Sequence, residues 1–113
     1  QGKHPATRAF QAIRIQVNRE LDELNACLHV VCDLLAAGGR LVVISFHSLE
    51  DRVVKRFIRE ASREPEQYRG MPSVPAEYRP KLTPIGKLIE ATPAEIAANR
   101  RARSARLRVA ERL

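Results

Sequence analysis

The run Leu41-Val42-Val43-Ile44-Ser45-Phe46 is apolar without alternation and rich in β-branched residues. A strand with one wet face alternates, so an unbroken run of this kind is expected to be covered on both faces, in the interior of a parallel sheet. Such a strand needs parallel neighbours. The rest of the sequence offers only two weaker candidates, near Ile85–Ala91 and Ala105–Glu111. Three strands do not make a sheet with two covered faces. The 113 residues are therefore expected to be an α/β part of a larger domain, without internal repeats or a domain boundary. The chain opens on Gln1 rather than Met, and its true N-terminus is expected upstream.

The segments around this strand read as helices and loop. Pro5 suits a first helical turn, and Phe10, Ile13, Val17, Leu21, Leu24, Leu28, Val31 and Leu35 follow at steps of three and four. They mark one face of a long helix, with a break expected near Asn25 to Leu28 and a glycine end at Gly38-Gly39. Ser48-Leu49-Glu50-Asp51 is expected to start the next helix as a capping box, with Leu49, Val53, Phe57 and Ala61 buried. Glu50 and Asp51 then complement the positive helix end, because neighbouring helical residues point about 100° apart and make a poor acid/base pair. Residues 62–84 hold Pro65, Pro72, Pro75, Pro80 and Pro84 and read as a long loop. Thr92-Pro93-Ala94-Glu95 opens a short helix ending near Asn99. In the last strand, Ala105, Leu107 and Val109 are expected on the buried face and Arg106 and Arg108 outside.

Charge narrows the function. The net charge is +7, and it is uneven: residues 1–99 carry fourteen basic and twelve acidic groups, residues 100–113 six and one. Only Lys3, Lys55, Lys81 and Lys87 are lysines, so most of the cations are guanidinium forks suited to phosphate. A solvated basic tail is the plainer alternative. No stretch of about 18 apolar residues exists, which excludes a membrane span. Cys27 and Cys32 lie roughly 140° and about 7.5 Å apart on a helix, too far to bridge, and read as two buried reduced thiols. No metal signature is present, and His29 with Cys32 lacks further ligands nearby.

Ligands of open α/β sheets bind beyond the carboxyl ends of the strands, which puts Ser45, His47 and Ser48 at a possible site mouth. Ser48 reads as a helix cap. For His47 a general base, a hydrogen-bond donor to a base edge and a packing ring all stay open. No phosphate-cradling glycine loop exists, since Gly38-Gly39 precedes a strand rather than following one.

Three blocks carry a resemblance: His4-Pro5-Ala6-Thr7-Arg8-Ala9-Phe10-Gln11-Ala12-Ile13-Arg14-Ile15, Gly38 to Arg52 through Ser45-Phe46-His47-Ser48-Leu49-Glu50-Asp51, and Arg101-Ala102-Arg103-Ser104-Ala105-Arg106-Leu107-Arg108. In this order they resemble the bacterial ribosomal RNA small-subunit methyltransferase H family (RsmH, also called MraW), over nearly the whole chain. The resemblance implies the C-terminal half of a class I, Rossmann-like methyltransferase sheet. Residues 1–20 would be a helix leaving an insert domain, and residues 21–113 the last strands and helices. It further implies methyl transfer from S-adenosylmethionine to the exocyclic amine of a cytidine in 16S rRNA, in the cytoplasm. The cofactor-binding glycine loop and ribose-binding acid belong upstream, with no counterpart here. Arg100 departs from the family, which usually has proline there.

The expected roles follow. His47 is the candidate catalytic residue, and Ser45 and His47 are expected to line the base pocket. Arg8, Arg14, Arg101, Arg103 and Arg106 are candidates for substrate phosphates. This chain alone is expected neither to bind the cofactor nor to be active, and a homodimer is open to it. The rival readings are a small basic RNA-binding module without enzymatic activity and an inert fragment.

Overall fold

A computed structural model describes residues 5–64, 66–75 and 78–113. Residues 1–4, among them His4 of the first motif, and Pro65 lie outside the described residues, as does the side chain of Phe10. Three α-helices and four strands follow among the described residues in the order α1 (Pro5–Leu34), β1 (Arg40–Ser45), α2 (Ser48–Ala61), β2 (Leu82–Pro84), β3 (Ile89–Glu90), α3 (Pro93–Ala98) and β4 (Arg106–Arg112). The architecture is mixed α/β, as expected of part of a Rossmann-like methyltransferase sheet.

Helix α1 runs 30 residues without the expected break, about 45 Å at 1.5 Å per residue. Only its second half is packed. Leu28 and Cys32 are buried against the core, with Leu24, Val31 and Leu35 beside them. Ile13 and Ile15 stand exposed on the first half. This projecting arm gives a radius of gyration of 18.3 Å, against about 13 Å for a compact domain near this length. Cys27 is exposed and only Cys32 is buried, so the expectation of two buried thiols holds for one. His29 meets Phe57 edge-on, with ring centroids 4.8 Å apart, and no group of three metal-ligating side chains occurs among the described residues.

The helix stops at Leu34, four residues before Gly38, so the glycines do not cap it as expected; they form a separate turn in which the Gly39 N–H donates to the Ala36 carbonyl at 2.9 Å. Gly38 takes φ +86°, which L side chains adopt at a cost. Its N–H donates to the Arg112 carbonyl at 2.8 Å, and the Arg112 N–H donates to the Gly39 carbonyl at 2.7 Å. The turn thereby sets the start of β1 beside the end of β4.

Strand β4 is the middle of the sheet. It pairs antiparallel with β1, Val43 opposite Arg108, and on its other side antiparallel with β2 and β3. Strand β1 is not the covered interior strand that its composition suggests. It is an edge strand in an antiparallel pairing, and Val42 and Ile44 are 55% and 54% exposed while Leu41 and Ser45 are buried. The reason is supply: α1 and α2 cover one face, and among the described residues no element covers the other.

The same register reverses the expected faces of β4. Leu41, Val43 and Ser45 stand opposite Ala110, Arg108 and Arg106 on the helix-covered face, and Val42 and Ile44 stand opposite Val109 and Leu107 on the open one. The arginines point inward because an acid waits there, as described below.

Helix α2 buries Asp51, Val54, Phe57 and Ile58, rotated from the expected stripe. The core is Leu28, Cys32, Leu41, Val54, Phe57, Ile58, Leu82 and Ala110. Part of the expected loop is ordered. Leu82–Pro84 is strand β2, Tyr68 and Tyr78 stack at 5.1 Å, and Arg79 Nε donates to the Val74 carbonyl at 3.0 Å. The third helix has the expected reciprocal cap between Thr92 and Glu95 and ends at Asn99.

Candidate nucleic-acid interface at the carboxyl end of strand β1

Strand β1 hands the chain to α2 through Phe46 and His47, and the helix cap is His47, not Ser48. The Leu49 N–H donates to His47 Nδ1 at 3.1 Å, and the His47 backbone is extended at φ −134°, ψ 141°. Only Nδ1, bonded directly to Cγ, reaches the backbone two residues on. A neutral imidazole whose Nδ1 accepts carries its proton on Nε2. With Nδ1 taken up by the helix cap, Nε2 is the ring nitrogen left for other partners.

Asp51 holds the neighbourhood together. It is 4% exposed and sits one turn before Val54 on the buried stripe. Arg108 grips it with both arms, Nε to Oδ1 at 2.7 Å and Nη2 to Oδ2 at 2.9 Å. Arg106 Nη1 adds a third bond to Oδ2 at 3.2 Å. The Arg108 hydrogen bonds, then that of Arg106, hold the carboxyl below the usual carboxylate range, although burial alone would raise it. A buried carboxylate needs such partners. The sequence reading gave Asp51 only a dipole role. The signal that would have found it is an acid at i−3 and i−7 from the apolar Val54 and Ile58, with two arginines on the last strand.

These contacts shape a cleft of about 370 Å³ at the carboxyl end of β1, where His47 and Ser48 meet Arg103, Ser104 and Arg106, with Phe46 and Glu90 on the wall. Residues more than fifty positions apart in sequence are thus joined. Arg103 comes from the short 3-10 turn Arg100–Ser104. That turn is started by Asn99, whose Oδ1 accepts from the Arg101 N–H at 3.1 Å. His47 also borders a second notch of about 410 Å³, lined by Val17, Leu21 and Leu24 of α1 together with Glu20 and Glu50.

The remaining expected site residues are placed differently. Ser45 is buried, 5% exposed, opposite Arg106 in the register, and does not line the cleft. Arg101 is exposed but outside the lining. Arg8 and Arg14 are exposed on the projecting arm of α1, roughly 14 and 5 Å along the axis from Val17 at 1.5 Å per residue.

A cradle for a nucleotide-like cofactor needs a glycine-bearing turn between a strand and a helix. The turn from β1 into α2 is Phe46-His47, without glycine, and the glycines at positive φ are Gly38 before β1, Gly70 in the loop and Gly86 between β2 and β3. The described residues do not form a cradle for S-adenosylmethionine.

Comparison with known proteins accounts for the arrangement. Residues 1–113 match the MraW methylase family throughout. The chain is 60% identical over 111 residues to the ribosomal RNA small subunit methyltransferase H of Coxiella burnetii (strain Dugway 5J108-111), covering 98% of this chain and 36% of the relative. It is 59% identical over 112 residues to that of Halorhodospira halophila, covering 99% and 35%. With that of Alcanivorax borkumensis it shares 52% over 113 residues, covering 100% and 36%. It spans about a third of the length of these relatives. No helix among the described residues is long and apolar enough to cross a membrane. The chain belongs to the MraW methylase family.

Proposed function

We propose that this chain is the C-terminal, substrate-facing portion of an S-adenosylmethionine-dependent methyltransferase acting on the exocyclic amine of a cytidine in 16S rRNA. The relatives' name, ribosomal RNA small subunit methyltransferase H, supports the substrate class. The observation that carries the reading is the cleft joining His47, Arg103 and Arg106 at the carboxyl end of β1, where ligands of α/β sheets bind. In this reading the cofactor is held by residues outside this chain.

What these residues do is bind and orient. A cytidine must leave its stack to be modified, at a cost of a few kcal/mol. Arg103 and Arg106 hold phosphates of the displaced strand, with Arg8, Arg14 and Arg101 as outer contacts. His47 offers Nε2–H to an acceptor on the substrate and so sets the angle of the base. Cytoplasmic action follows from the substrate.

The test is methyl transfer from labelled cofactor to 16S rRNA in small ribosomal subunits, using the full-length polypeptide. Arg103→Ala with Arg106→Ala is expected to raise KM for the subunit and leave cofactor affinity unchanged. RNA binding without transfer by the full-length wild type would favour a basic RNA-binding module instead.

A further inference from the structure

A second basic surface lies away from this cleft and shares no lining residue with it. Lys55 and Arg59 of α2 continue into Arg63 just past the helix end, at steps of four that fall on one side of a helix. Lys87, in the turn between β2 and β3 beside Gly86, faces them across a groove of about 350 Å³. Arg108 lies below with Ile58, Leu88 and Val109. Its charge is taken by Asp51. The other four cations have no acidic partner within 4 Å among the described residues, and no carboxylate lines the groove. Elsewhere acids and bases do pair, as Asp33 with Lys81 at 3.2 Å and Glu111 with Arg40 at 3.7 Å.

A helix end attracts cations, which accounts for Arg59 in the last turn of α2. It does not account for Lys87 on the opposite wall, or for Lys55 one turn earlier. Uncompensated cations converging on one groove repel each other and are relieved by a polyanion. No aromatic side chain lines the groove, so it has no platform for stacking bases. The groove lies along β4 from the first cleft, about 10 Å from Arg106 to Val109 at strand rise. We propose that the groove between α2 and the β2–β3 turn binds the phosphodiester backbone of RNA without regard to sequence, as a second anchoring site for the substrate strand. This rests on the reading of the substrate as rRNA.

The test substitutes Lys55→Ala, Arg59→Ala and Lys87→Ala together in the full-length polypeptide, all three being exposed. Binding of two unrelated short RNAs is measured by fluorescence anisotropy over about 50 to 200 mM salt. Each lost contact removes about 0.7 from the slope of log affinity against log salt on a single strand, so the slope is expected to fall by about 2 and affinity by about 10- to 100-fold for both RNAs. A glutamine version of the same triple, which keeps polar side chains, is expected to behave alike. An unchanged slope in variants whose circular dichroism and Tm match wild type overturns the proposal. So does equal loss of binding to phosphatidylglycerol vesicles with none to RNA. The Arg103→Ala, Arg106→Ala variant separates the two readings. If it weakens RNA binding and the triple does not, the groove fails and the cleft stands. If the triple lowers the slope but the wild type transfers no methyl group, the groove stands and the enzymatic reading fails.

Discussion

At the scale of single residues, Asp51 and His47 divide structure from chemistry at one helix start. Asp51→Asn keeps the shape but leaves Arg108 facing a neutral group. Breaking a buried pair costs about 3–5 kcal/mol. The low end, about 3 kcal/mol, is expected here because Arg106 is 43% exposed and regains water; denaturant unfolding measures it. The folded Asp51 carboxyl lies below its ordinary value, so its contribution is complete above an unfolded pKa near about 3.9 and is lost as pH falls through the lower folded value. Wild type is therefore expected to lose more stability than Asp51→Asn between about pH 5 and pH 2. His47 calls for two variants. Asparagine places Oδ1 where Nδ1 accepts from Leu49 and keeps the cap, but removes the outer donor; glutamine reaches outward with its own N–H and loses the cap. If the ring orients substrate, His47→Asn lowers turnover by roughly 10-fold or more, about 1.4 kcal/mol per decade, with near-normal Tm. His47→Gln shows the reverse pattern. A fully active asparagine variant removes His47 from the site.

At the scale of elements, the strands and caps were legible where a local rule decides them. The Thr92–Glu95 box and the end of α3 near Asn99 came through because cap chemistry acts within a few residues, and the positive φ of Gly38 came through as a turn, though not as the cap of α1. The faces of β4 did not, because an alternating Leu107-Arg108-Val109 pattern says which residues share a face and not which face is covered. That choice was made by Asp51, 57 positions away from Arg108. Nor was the groove legible, since Lys87 meets α2 only through the β2–β3 turn. The exposure of Val42 and Ile44 sets the composition of β1 against its surroundings. An unbroken β-branched run is built for two covered faces. Ile44→Asp decides it. In the isolated chain the residue is half exposed, and the change is expected to cost less than about 1 kcal/mol. In the full-length polypeptide, with the second face covered, the same carboxylate would be buried without a partner and soluble folding is expected to be lost. A full-length variant that melts like wild type would show that the face stays open.

At the scale of the molecule, the chain is an arm, a half-covered sheet and two basic surfaces. The long helix, the open face of β1 and the overall extension of 60 × 46 × 24 Å all describe a body whose buried area is small for its length. Of the three motif blocks, the second carries the turn at β1 and Asp51, and the third carries the Arg103 turn and the Asp51 partners. What they do not carry is a place for the cofactor. A nucleotide-like ligand needs a strand, a glycine-bearing turn whose backbone comes close, and a helix whose N-terminus faces the ligand. Here the two strand-to-helix junctions among the described residues, β1 to α2 and β3 to α3, have helix starts capped by His47 and Thr92 and no glycine. The 113-residue chain is therefore expected to show no saturable heat with S-adenosylmethionine in calorimetric titration, while the full-length polypeptide binds it. The same preparation should still bind RNA with a salt-dependent affinity, since its cations need no cofactor to act. Tight cofactor binding by the short chain would put the site among residues this structure assigns to the cap and the cleft, and would require His47 to release Leu49.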